Sequence, residues 1–232
     1  MFQMTPRMYQ MAQRIVLGLI VIACLVFLWI GYRWYRTSHE ERAHNTFAHA
    51  VDVYEQIKGV SGDAKKSLVD RARDVLTQGH KQFKNSAYGP LFLVYLSQLE
   101  LEEASGKPAA EASAAVKQAQ DLLAEALKNI SSGTPLHRLY AIKAALVMLD
   151  SDDEKVRAEG QKQIESWTQG TTATPLRDMA LFYAGKTKFD ALDYDGAAKF
   201  WNVLINEYGS GGAADVSGWA TRAQELKDYR IS

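Results

Sequence analysis

The strongest feature of the hydropathy pattern is an uncharged run of eighteen residues, IVLGLIVIACLVFLWIGY, over positions 15–32. At ~1.5 Å per residue such a helix is about 27 Å long, close to the hydrocarbon thickness of a bilayer. Arg14 and Arg33 bracket the run, and Trp29, Tyr32, Trp34 and Tyr35 form an aromatic belt at one end. The pattern predicts a single transmembrane helix, with Ile15, Leu19, Cys24, Leu28, Trp29 and Tyr32 among its anchor residues. A cleaved signal peptide would have a shorter run and a small-residue cleavage site, whereas this run ends in Trp, Tyr and Arg. Val21-Ile22-Ala23-Cys24 loosely matches a bacterial lipobox, but apolar residues follow the cysteine where a lipoprotein turns polar. Cys24 therefore reads as an apolar anchor residue, with lipidation as the open alternative. Before the run, Met1, Met4, Met8 and Met11 fall at helical spacing and extend its apolar surface.

Beyond the anchor the period changes to three and four residues. Phe47, Val51 and Tyr54 predict that the chain continues as an amphipathic helix, broken at Gly59 and Ser61-Gly62. A second helix follows over 64–83, with Leu68, Ala72, Val75 and Leu76 on one face, and a third after Pro90. Residues 111–130 are rich in Ala and Leu and form a helix by propensity. Further helices are expected over 134–149, 154–167, 174–191, 196–208 and 216–229, with "GSGGAAD" as a loop. Strand signals are nearly absent. The expected fold is all-α, a transmembrane helix followed by an α-solenoid of tetratricopeptide-like helix pairs. The chain divides into a tail (1–14), the anchor with its juxtamembrane segment (15–36) and a helical domain (37–232).

The solenoid reading rests on an internal echo. "TPLHRLYAIKAA" starts at Thr134 and "TPLRDMALFYAG" at Thr174, forty residues later. Both offer Thr as an N-cap and Pro at the first helical position. Both place a small pair ten residues on, Ala144-Ala145 and Ala184-Gly185, where a neighbouring helix can come close. A helix-pair period near forty marks architectures in which each unit buries its apolar face on its neighbours. In the last unit Gly185, Ala197 and Trp201 have the tetratricopeptide spacing of a small residue, an Ala and an aromatic, with Asp193-Tyr194-Asp195 in the turn. Lys188 and Gly209 depart from that repeat's usual aromatic and Pro.

That spacing projects Met179, Phe182, Lys186 and Phe189 toward a concave side, and the echo brings Leu139, Ile142, Leu146 and Leu149 beside them. These residues predict an apolar groove for an extended or helical segment of a partner. Core packing between repeats, or a cover formed by the terminal helix, is the competing expectation.

Charge adds an exclusion. Of 27 Lys and Arg, Arg7, Arg14, Arg33 and Arg36 precede residue 37, leaving 23 basic against 27 acidic groups beyond it. This slightly acidic domain carries no footprint for nucleic acid. Cys24 is the sole cysteine, so no intramolecular disulfide forms. His39 and His44 in "HEERAH" are five apart, which spreads them around a helix instead of turning them to one metal. Glu40 and His44 are spaced for a solvated surface pair. No Ser-His-Asp, Cys-His or phosphate-loop pattern is legible, and neither an enzymatic activity, a cofactor nor a small-molecule substrate is expected. The function read from the residues is a tethered protein-interaction module, with a structural subunit of a larger envelope complex as the alternative.

The order of elements also resembles a known family. One anchor, "GYRWYRTSHEERAHNTFAHAVDVYEQI", then "NSAYGPLFLVYLSQLELEE" and a terminal degenerate repeat resemble the YfgM family of ancillary SecYEG translocon subunits. Gly31-Tyr32-Arg33-Trp34 and Asn85-Ser86-Ala87-Tyr88-Gly89 carry the resemblance most sharply. It implies a bacterial inner-membrane protein with a cytoplasmic N-terminus and a periplasmic tetratricopeptide-like domain. It further implies two protein partners, a SecYEG-type channel and a membrane-anchored periplasmic chaperone. The family contributes no catalytic residues.

Overall fold

The computed structural model describes residues 6–104, 107–209 and 216–228, and of residues 6–18, 20, 21, 109 and 110 only the backbone. Met1, Met4, the end of the last expected helix and most of "GSGGAAD" lie outside the described residues. Those described form helices without strands: α1 (Pro6–Glu55), α2 (Asp63–Phe83), α3 (Gly89–Ala104), α4 (Ala109–Lys128), α5 (Pro135–Leu149), α6 (Glu154–Ser166), α7 (Arg177–Asp190), α8 (Tyr194–Tyr208) and α9 (Gly218–Asp228).

The anchor run and the first helix of the body are one uninterrupted helix of 50 residues, α1. At ~1.5 Å per residue it is a rod of about 75 Å. Nothing in the sequence between them breaks a helix: no proline occurs from Arg7 to Lys107 except Pro90. Its far end buries Ala43, Ala50, Val53 and Tyr54 against α2 and α3.

Consecutive helices pack side by side, most extensively α3 on α4, α5 on α6 and α7 on α8. Three of these approaches use a glycine. A Cβ on Gly79 of α2 would overlap the ring of Phe92 on α3, and one on Gly185 of α7 would overlap the indole of Trp201 on α8. A Cβ on Gly160 of α6 would lie 2.8 Å from the Ala145 carbonyl oxygen of α5. Both small pairs of the echo therefore sit where the following helix packs, and Ala145 and Ala184 also share a core cluster with Ile164. Helix α3 is buried almost all round, through Pro90, Phe92, Leu93, Val94, Leu96, Ser97 and Leu99, because α1, α2 and α4 enclose it.

The two echoed helix starts behave differently. Thr134 caps α5 as expected, its side chain accepting from the His137 N–H at 3.2 Å with Pro135 in the first turn. In the second copy Thr174 is not the cap. Its hydroxyl oxygen accepts from the Thr171 N–H at 3.0 Å, Leu176 turns left-handed at φ 59°, and α7 begins only at Arg177. The reason is tertiary. The Arg177 side chain is buried, donates from Nε to the Thr168 carbonyl at 2.7 Å, and pairs with Glu207 near the end of α8. The helix starts where that guanidinium spans the ends of α6 and α8. The α7–α8 turn also differs in detail: Asp193 caps α8 by accepting from the Gly196 N–H at 2.9 Å, and Tyr194 and Asp195 already belong to the helix.

Candidate partner-binding site

The residues expected to form an anchor stand apart from the body. Leu19, Leu28, Trp29 and Tyr32 are 61%, 70%, 59% and 64% exposed, and Cys24 is exposed too. Phe27, Ile30, Trp34 and Tyr35 are likewise exposed, so this stretch of α1 shows apolar side chains on every side. The Ile15 side chain lies outside those described. Among the described residues no helix is long and apolar enough to cross a membrane. The apolar run is described with side chains only at Leu19 and from Ile22 onward.

The eight expected groove residues do not form one open surface: core packing and a cover by the terminal helix, the competing expectation, account for Ile142, Met179 and Phe182. Ile142 and Met179 are core residues, packed with Leu139, Leu146 and Trp219 of α9. Phe182 is also buried and lies against Trp219 at 5.0 Å between ring centroids. Phe189 points toward α8, with its ring 5.4 Å from Trp201 and 5.3 Å from Tyr194. Lys186 is half exposed and bonded to Asp190 at 2.6 Å. Helix α9 is the cause. It packs on α7 and α8, brings Trp219 over Met179 and Phe182, and is held by Ser217, which donates to Asp178 at 2.7 Å.

An open cleft remains one step away, between the first helices of successive pairs. It has a volume of about 300 Å³. Val94, Gln98 and Leu101 of α3, Lys143 and Leu146 of α5, and Met179 and Tyr183 of α7 line it. Past Leu146 and Tyr183 lies a second, more polar cleft of about 620 Å³ with Asp150, Arg157, Lys186 and Asp190 on its walls. Of the expected groove residues, Leu146 and Met179 reach the first cleft and Leu146, Leu149 and Lys186 the second.

Lys143 sets the electrostatics of the first cleft. No carboxylate lines that cleft, and Lys143 makes no ion pair among the described residues. Its ammonium sits 5.6 Å from the Tyr140 ring, and desolvation lowers its pKa below the ordinary lysine value. An apolar cleft with one partly desolvated cation favours an apolar group carrying a negative charge. Lys143 escaped the sequence reading, although it is the one charged residue in "LYAIKAALVML", an otherwise apolar stretch of helix. Asp150, at the rim of the second cleft, has its carboxyl raised by partial burial.

Two of the histidines lie against aromatic rings. His39 lies edge-on to Phe83 at 5.2 Å, and His44 lies 5.2 Å from Tyr88. Glu40 does not form the expected surface pair with His44: its Oε2 accepts from the Ala87 N–H at 3.1 Å. The "NSAYG" segment is thus the α2–α3 corner clamped to α1. Ser86, buried there, donates to the Phe83 carbonyl at 2.8 Å and accepts from the Gly89 N–H at 3.2 Å. No family model, curated protein or solved structure matches the chain.

Proposed function

We propose that the protein is a membrane-anchored interaction module. Residues 15–32 of α1 cross the bilayer, and tetratricopeptide-like helix pairs arranged as an α-solenoid hold a partner segment in the α3–α5–α7 cleft. The observation that carries this reading is the distribution of exposed apolar side chains. They crowd one end of α1, while elsewhere among the described residues only Leu136, Leu192 and Val216 are large, apolar and exposed. A body so well covered favours a self-standing module over a subunit packed permanently on neighbours. Its resemblance to the ancillary translocon subunits makes a SecYEG-type channel and a membrane-anchored periplasmic chaperone, or an emerging polypeptide, the partners of choice. In that reading α1 runs from the cytoplasm through the inner membrane, and the body is periplasmic.

The test is affinity purification of the full-length protein in mild detergent, with mass spectrometry, beside Lys143→Met and a form lacking residues 1–36. Recovery of channel subunits and a chaperone supports the reading. Loss of the chaperone in Lys143→Met places it in the cleft, and loss of the channel in the truncated form assigns the channel to α1. A single unrelated complex in fixed stoichiometry would sink the assignment. The same variant should gain stability. Because the Lys143 pKa is depressed on folding, the unfolded chain binds more protons between the two values, and stability rises with pH across that window. Lys143→Met should therefore raise the melting temperature at neutral pH, with the gain shrinking as pH climbs through the folded pKa toward 10.5.

A further inference from the structure

Where α1 leaves its apolar run, a crevice of about 390 Å³ opens between it and the α2–α3 corner. Tyr32, Tyr35, Arg36, His39, Glu40 and Asn85 line it. Glu40 is engaged, accepting from the Ala87 N–H across the crevice. Of the remaining groups besides His39, the guanidinium only donates, and the two phenols and the amide can each donate. Arg36 makes no ion pair among the described residues. Its neighbours are committed: the Arg33 guanidinium sits 5.5 Å from the Trp29 ring, and Arg42 donates to the Ser38 carbonyl. His39 is held between Tyr35 and Phe83, at 6.0 and 5.2 Å, so that wall is ordered by packing.

Position completes the chemistry. Tyr32 closes the apolar run, and Arg36 lies one turn further, about 6 Å along the axis. Below the crevice, Ile22, Leu25, Leu28 and Tyr32 follow at three- and four-residue steps, all exposed. The crevice therefore tops an apolar stripe, with an unpaired cation at the depth of the headgroups.

We propose that this crevice binds the headgroup of an anionic phospholipid. Arg36 takes the phosphate oxyanion, the Tyr32 and Tyr35 hydroxyls and the Asn85 amide donate to its other oxygens, and the acyl chains lie along the stripe. The proposal rests on residues 15–32 spanning the membrane. Bound there, the lipid touches both α1 and the corner, and fixes the body against the membrane surface.

The experiment uses the full-length protein reconstituted in phosphatidylcholine vesicles containing phosphatidylglycerol. Flotation reads insertion, and native mass spectrometry of protein released in mild detergent reads retained lipid. Arg36→Gln and Arg33→Gln are compared with the wild type, and inorganic phosphate is added to a phosphatidylcholine-only arm. The expected result is retention of phosphatidylglycerol over phosphatidylcholine by about fivefold, the weight of one cation at an anionic surface. Arg36→Gln should abolish that preference, Arg33→Gln should keep it, and inorganic phosphate should not bind. Equal loss in both variants would overturn the site in favour of diffuse charge, and phosphate binding alone would make it a site for a free anion. Flotation without lipid preference removes the headgroup site and leaves the anchor. Failure to float removes both.

Discussion

Single residues decide how closely the helices pack. Gly185 is the sharpest case, since Trp201 fills the space a Cβ would need and donates from its indole to the Phe182 carbonyl at 3.1 Å. Gly185→Ala should cost about 1–3 kcal/mol, as overpacking of a dense core does, read as a lower urea midpoint of the full-length protein in detergent. Leu192 is the opposite case. It turns left-handed at φ 63° between α7 and α8 and is 71% exposed, so strain is not offset by burial. The left-handed form costs a non-glycine residue roughly 1–2 kcal/mol, against roughly 0.5–1 for the added freedom of an unfolded glycine. Leu192→Gly should therefore stabilise by up to about 1 kcal/mol in the same assay. The spacing of Gly185, Ala197 and Trp201 was legible because it lies within one helical hairpin. The role of Lys143 was not, because its cleft needs α3 and α7 as well as its own helix.

At the scale of elements, α1 joins what the hydropathy pattern divides into an anchor and a body. The joint at Thr37 is exposed, and its hydroxyl donates to the Arg33 carbonyl at 3.0 Å. Proline there removes a helical hydrogen bond and costs about 3 kcal/mol. Thr37→Pro should raise amide exchange around residues 33–37 by about a hundredfold, the factor that energy sets. Protection in α2 to α9 should be unchanged; if it falls too, the rod and the body are not separable units. The paired Thr-Pro-Leu starts show the limit of reading elements locally. One copy caps a helix, and the other is overruled by the Arg177 contacts with Thr168 and Glu207.

At the scale of the molecule, every extensive helix contact joins elements one or two apart in the chain. Such packing passes stability from neighbour to neighbour and allows parts to open separately. Hydrogen exchange of the Gly185→Ala variant should show lost protection in α7 to α9 and wild-type protection in α1 to α3. Uniform loss would mean that the body unfolds as one unit.

The sequence by itself determined the approximate placement of most of the described helices, the continuity of α1 through its uncharged run, and the small residues at the helix crossings. Each of these is local: a period, a breaker or a residue volume acts within a turn or two. Tertiary structure alone decided that α7 begins at Arg177 and not at Thr174, that α9 covers Met179 and Phe182 and closes the expected groove, and that the open cleft is built around Lys143. Those outcomes depend on which distant faces compete for the same apolar surface, and no local pattern encodes that competition.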